Sequence, residues 1–308
     1  MQQREVGKYP YLIQVEGGDP IEAVLIVGKA EGKTLVVTAG VHGDEYVGIQ
    51  AVRELLEELQ PEKLNGRVIF VPVVNREGFY NGTYLVPEDG ENLNRCFPGS
   101  QEKSLTWRMA YALGQSLYSK ADFLLDLHGG GLHETMTPLV FFPVGAGKEI
   151  EELTRKAAQK LSLSYMVQSY AKDGLYSWAT QRGVPAVLIE RGGGGTWSPE
   201  ETEACKENIY QMMDFLGILP YDRRRQFPAE IQDAHYETAL SKGYWYCVKT
   251  AGAAFREGEL LGRIEGEDGC VRQEIRAPYD GVLLYHTHSL GVKEGAALMA
   301  YGRVRGRK

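Results

Sequence analysis

The sequence predicts an α/β fold: a mostly parallel, mixed sheet with helices on both faces, followed by a small all-β unit. Three observations carry that reading. Apolar runs of strand length alternate with helical patterns from Glu22 to Leu216. Several of those runs are continuously apolar rather than alternating, which marks strands buried on both faces. From about residue 220 onward, short strand-like pieces separated by Gly replace the helical periodicity.

The strand-like runs are 23–27, 34–38, 68–73, 123–127, 139–142 and 186–189. The helical patterns are 46–59, 105–118, 149–161, 175–182 and 199–216. In the first helix Val52, Leu55, Leu56 and Leu59 fall at i, i+3, i+4 and i+7, with Arg53, Glu54, Glu57 and Glu58 between them. Residues 220–228 are charged and bounded by Pro220 and Pro228, as a linker would be. Beyond them come strand pieces at 244–249, 260–264, 274–277, 281–285 and 297–300. The expected division is therefore a larger domain over 1–222 and a small all-β domain over 223–308.

Composition narrows the function classes. The chain has 308 residues, 43% hydrophobic and 24% charged, which is ordinary for a soluble protein. Its net charge of −7 provides no basic field for nucleic acid. The short run Arg223-Arg224-Arg225 reads as part of a solvated linker. Met1 to Pro10 lacks the apolar core of a secretory signal, and no run approaches the roughly 20 apolar residues of a membrane span. Cys96, Cys205, Cys247 and Cys270 are scattered with no Cys-x-x-Cys spacing. That pattern argues against a disulfide framework or a cysteine zinc site and suits a cytoplasmic protein. A homo-oligomer is left open.

In open α/β sheets, ligands bind beyond the carboxyl ends of the strands. Here His42, Asn75, His128 and Glu190 wait at those ends. His42 and Glu45 sit where a buried strand turns into a helix, and positions i and i+3 there can face one metal ion. Two imidazoles and a carboxylate form a known catalytic zinc set that leaves a position for water. A bare His-x-x-Glu also occurs by chance on solvated helix starts.

His128 precedes Gly129-Gly130-Gly131, so nothing bulky blocks its way into a cleft. Asp126 either orients a ligand imidazole from behind or caps a turn. Glu190 ends a buried strand, where a carboxylate is costly unless used or paired. It is either a general acid/base or the partner of Arg191. Asn94 and Arg95 lie in a long polar loop that starts at Asn75, and Arg95 is either a clamp for a substrate carboxylate or a surface residue. His133 and Glu134 read as loop residues; His235, His286 and His288 read as structural.

Taken in order, Gly40-Val41-His42-Gly43-Asp44-Glu45, Asn92-Leu93-Asn94-Arg95, Asp126-Leu127-His128 and Glu190-Arg191-Gly192-Gly193 resemble the succinylglutamate desuccinylase/aspartoacylase family. That family is related to the zinc carboxypeptidases, and the resemblance spans roughly Ala23 to Leu219. The form Asn-Leu-Asn-Arg-x-Phe-Pro-Gly and the Gly run after Glu190 look most like bacterial deacylases of the N-acetyl-diaminobutyrate type. The resemblance implies a carboxypeptidase-like fold and one zinc on His42, Glu45 and His128. It further implies Glu190 as acid/base and Asn94 and Arg95 as substrate binders.

One departure stands out. Many relatives carry Gly-Thr-Arg ahead of this segment, with the Arg polarising the scissile carbonyl, whereas this chain has Gly82-Thr83-Tyr84. Either Tyr84 donates a phenolic hydrogen bond to substrate in its place, or Arg76 or Arg191 reaches in.

The β unit holds a faint repeat, Phe255-Arg256-Glu257-Gly258-Glu259-Leu260-Leu261 against Val292-Lys293-Glu294-Gly295-Ala296-Ala297-Leu298. With Ala277-Pro278-Tyr279-Asp280-Gly281-Val282 it resembles the barrel-sandwich fold of biotinyl and lipoyl carriers, but the turn at 277–281 has no Lys to modify. A lid or packing module is expected instead. The expected activity is zinc-dependent hydrolysis of the amide of a small N-acylated amino acid. The rivals are a carboxypeptidase acting on peptides and a non-catalytic metal- or ligand-binding relative.

Overall fold

The computed structural model describes residues 4–223 and 226–306. Arg224 and Arg225 of the basic run, like the first three residues, lie outside it. The chain runs β1 (Gly7–Ile13), β2 (Ile21–Val27), β3 (Ala30–Ala39), α1 (Tyr46–Glu58), β4 (Asn65–Val71), α2 (Arg76–Asn81), α3 (Leu105–Leu117), β5 (Phe123–His128) and β6 (Glu134–Met136). It continues through β7 (Leu139–Pro143), α4 (Lys148–Ala158), β8 (Tyr165–Ser169), α5 (Leu175–Gln181), β9 (Ala186–Glu190) and α6 (Pro199–Phe215). The remainder is all strand: β10 (Ala229–Thr238), β11 (Gly243–Cys247), β12 (Ala254–Phe255), β13 (Leu260–Glu265), β14 (Val271–Arg276), β15 (Gly281–Thr287), β16 (Gly291–Val292) and β17 (Ala297–Val304).

The central sheet is mixed and largely parallel. Its middle order is β4-β3-β5-β9-β7-β8. The pairs β3–β4, β3–β5, β5–β9 and β7–β8 are parallel, and β7–β9 is antiparallel. Each central strand is apolar on both sides because each side meets helices. Leu35, Val37 and Ala39 of β3 pack with Val52 and Leu55 of α1 and Ile209 and Met212 of α6. Val36, between them, faces the opposite layer with Leu113 of α3 and Ala179 of α5. That alternation within one continuously apolar strand is what the sequence pattern encodes. Ser198 caps α6 by accepting from Glu201 N at 3.2 Å, and Pro199 occupies its first turn.

The C-terminal strands divide between two sheets. A four-stranded antiparallel sheet has the order β14-β13-β11-β16. The others extend the central sheet through β10, which lies parallel to β8 and antiparallel to β17. Backbone pairing therefore crosses the expected division at residue 222. The faint repeat maps onto two strand–turn–strand units, β12–β13 and β16–β17, whose turn glycines Gly258 and Gly295 sit at φ +83° and +80°. No helix of the described residues is long and apolar enough to cross a membrane.

Candidate active site

The fold carries His42 and Glu45 on the turn between β3 and α1, and His128 and Glu190 at the ends of two adjacent strands. Glu190 is the register partner of His128. Residues two apart on a strand share a face, so Asp126 and His128 point the same way. The turn after β3 is tight against α2: a Cβ on Gly43 would lie 2.0 Å from the carbonyl carbon of Gly78. Only glycine admits that approach.

Glu45 bridges the two imidazoles. Its Oε1 is 2.7 Å from His42 Nδ1, and its Oε2 is 2.9 Å from His128 Nδ1. All three residues are buried. The far nitrogen of each ring is held from behind. Asn92 Oδ1 lies 3.1 Å from His42 Nε2, and Asp126 Oδ2 lies 3.2 Å from His128 Nε2. Asp126 is fixed in turn by the Thr38 hydroxyl at 2.6 Å. With each Nε2–H donating outward, both Nδ1 atoms turn to Glu45. Asp126 thus orients a ring rather than capping a turn.

Ligand atoms from His42, Glu45 and His128 lie within 4.8 Å of one another. Burial opposes charge on His128, yet Asp126 and Glu45 hold its pKa well above the usual imidazole range. Burial likewise opposes ionisation of Glu45, but the two imidazoles bring its carboxyl down to about 2. The proton on His128 and the charge on Glu45 thus compensate one another, and a divalent cation would take that proton's place in a donor set suited to zinc.

Glu190 has a buried carboxylate oxygen, Oε2, with no hydrogen-bond partner. Burial, then the nearby charge of Glu45, holds its pKa well above the ordinary carboxylate range. Arg191 is not its partner: that guanidinium binds Glu201 at 2.8 Å. Tyr84 stacks on the His42 ring, with centroids 3.7 Å apart and planes 21° from parallel. Arg76 pairs with Glu22 at 2.9 Å and faces a different cavity. Of Tyr84, Arg76 and Arg191, only Tyr84 lines the cavity that holds His42, Glu45, His128 and Glu190.

That cavity measures about 1060 Å³. Asn94 and Arg95 line it, but the Asn94 side chain also serves the fold, since its Oδ1 accepts from Leu175 N, 2.9 Å away, at the start of α5. Arg95 is half exposed and 4.0 Å from Asp173, as befits a cavity mouth. His133 does not line the cavity, and its carbonyl accepts from Thr287. Glu134, expected in a loop, is instead on β6 and does line it. Tyr236, Tyr285 and Arg305 bring the C-terminal strands into the same wall. Asn92 and Glu134 carry no individual signal in the sequence: one is masked by the Asn-Leu-Asn-Arg run, the other by the glycines before it.

The ordered site residues on this sheet decide the kinship, and the comparisons agree. Residues 31–216 match the succinylglutamate desuccinylase/aspartoacylase catalytic domain. The chain belongs to that family. It is 31% identical over 293 residues to the N-alpha-acetyl-L-2,4-diaminobutyric acid deacetylase of Halomonas elongata, covering 91% of this chain and 85% of that protein. The product-bound structure of the ectoine utilization protein EutE from Ruegeria pomeroyi superposes with a TM-score of 0.88 at 25% identity, over 98% of this chain and 97% of that one. A succinylglutamate desuccinylase from a Silicibacter species gives a TM-score of 0.84 at 27% identity, over 97% and 93% of the two chains.

Proposed function

We propose that this family member is a zinc-dependent deacylase that hydrolyses the amide of a small N-acylated amino acid. One observation carries the reading: the bridged set His42–Glu45–His128 shares a cavity with Glu190, whose buried Oε2 has no partner. Zinc held by His42, Glu45 and His128 would supply Lewis acidity, acidifying water and polarising the amide carbonyl.

The chain's own groups divide the remaining work. Glu190, with a pKa raised by burial, accepts the proton of the attacking water and returns it to the departing amine. Tyr84, locked by its stack on His42, offers a hydroxyl to the carbonyl oxygen where relatives use Arg. Arg95 at the mouth binds the substrate carboxylate through its planar fork. Asn94 holds the start of α5 and, beside Arg95, the shape of the substrate end. The region 1–222 carries the metal set and Glu190, and 223–308 acts as cavity wall. The Halomonas elongata relative, an N-alpha-acetyl-L-2,4-diaminobutyric acid deacetylase, supports an N-acetylated diamino acid within the substrate class.

The test is amine release by zinc-restored protein from N-acetyl, N-succinyl and N-formyl amino acids, from their amides, and from peptides. The reading expects turnover of one N-acyl amino acid set and a preference for free carboxylates. Release of C-terminal residues from peptides alone would make the chain a carboxypeptidase.

A further inference from the structure

Glu134 is a cavity carboxyl that the deacylase reading does not use. Among the described residues its side chain has no hydrogen bond or ion pair, and the cavity's guanidiniums face other carboxylates. Arg155 and Arg305 both bind Glu230, at 2.6 and 3.1 Å, and Arg95 faces Asp173. An unpaired carboxyl set into a cavity wall is costly. Burial, and then Glu45 and Asp44, push its pKa up to about 7, so the cavity as it stands disfavours its charge.

Its place is rigidly set. The Glu134 carbonyl accepts from Gly194 N at 2.7 Å, and a Cβ on Gly193 would come within 2.7 Å of that same oxygen. Across the β6–β15 ladder Glu134 pairs with Thr287 and Met136 with Tyr285. Tyr285 is therefore the diagonal neighbour of Glu134 on one face, within reach for an aromatic side chain. Tyr84 and Tyr236 line the same cavity, and Glu134 is close enough to Tyr84 and Tyr285 to act on both hydroxyls. A lone carboxyl in a cavity wall shared with tyrosines suits an organic cation, with charge from the one and hydroxyl oxygens and ring quadrupoles from the others.

We propose that Glu134, with Tyr84, Tyr236 and Tyr285, forms an ammonium subsite that takes the side-chain amine of an N-acylated diamino acid. The proposal rests on the deacylase reading and narrows it. The amide carbonyl lies at the His42–Glu45–His128 set, the carboxylate at Arg95, and the side-chain ammonium at Glu134.

The experiment measures kcat/KM for a matched pair, Nα-acetyl-2,4-diaminobutyrate and Nα-acetyl-2-aminobutyrate, in wild type, Glu134→Gln and Asp233→Asn. Calorimetry of the free amino acids 2,4-diaminobutyrate and 2-aminobutyrate accompanies it. Wild type should favour the cationic substrate. Glu134→Gln should cut the cationic-to-neutral ratio about tenfold or more, mainly through KM, as expected for loss of one charge-assisted contact. Asp233→Asn, another acidic position of the wall, should leave the ratio intact. A ratio unchanged in Glu134→Gln, or lost only in Asp233→Asn, overturns the subsite while amine release upholds the deacylase. Glu134-dependent binding of 2,4-diaminobutyrate without any amide hydrolysis upholds the subsite and overturns the deacylase.

Discussion

Asn92 Oδ1 sits 3.1 Å from His42 Nε2 and 2.8 Å from the backbone N–H of Asn94. One side-chain oxygen thus fixes both the loop turn that carries Arg95 and the face of the imidazole turned to Glu45. Partners of this kind typically contribute 10–100-fold to metal affinity. Asn92→Ala is therefore expected to weaken zinc binding by about that factor, measured by chelator competition. Asn92→Asp, which still accepts from Nε2–H, should recover most of it. Unchanged affinity in Asn92→Ala would mean His42 needs no support from behind.

The ligand set predicts one zinc per chain. His42→Ala and His128→Ala should each lose most bound zinc by elemental analysis of the purified protein. His133→Ala should hold it, because His133 lies off the cavity wall. Full zinc in both ligand variants would remove the basis of the assignment.

Tyr84 supplies two separable effects. Tyr84→Phe keeps the ring against His42 but loses the hydroxyl, so zinc should stay bound while kcat falls, about tenfold or more for a lost donor to a developing oxyanion. Tyr84→Arg places a cation where the family resemblance expects an arginine and should keep more activity than Tyr84→Ala. A Tyr84→Phe enzyme as fast as wild type would return the carbonyl-polarising role to another group.

Glu134 should leave a mark on stability as well as on substrate choice. Its folded pKa, about 7, stands above the ordinary carboxyl value of 4.5. Between those values the folded protein binds more protons than the unfolded chain, so stability falls as pH rises and the contribution is gone above about 7. Melting of the metal-free protein from pH 5 to 8 should show a steeper fall in wild type than in Glu134→Gln. Parallel curves would place the Glu134 titration elsewhere.

Much of this was legible in the sequence, for identifiable reasons. The central strands had to be apolar on both sides because helices cover both faces, and α1 announced itself by Val52, Leu55 and Leu59. Helix positions agree to within a few residues, as with the expected 199–216 against Pro199–Phe215. Short or amphipathic elements were harder to see. The Asn75 loop contains the two-turn helix α2, and β8 is a five-residue strand with only a partly apolar pattern. β1 alternates exposed and half-buried residues at the sheet edge, so it lacks the continuous signature of the centre. The cavity wall from β10 and β15 was not legible at all. Tyr236 and Tyr285 share a cavity with Tyr84 because β10 pairs with β8 and β15 with β6, long-range pairings that periodicity does not encode.

In the proposed function Glu190 moves protons beside a metal set rather than neutralising an arginine. The most direct measurement is amine release by wild type and Glu190→Gln, on the best N-acyl substrate and at equal zinc content. The variant is expected to lose roughly 10²–10⁴-fold in kcat, the usual contribution of a general acid/base, with zinc retained. Equal rates at equal zinc would contradict it.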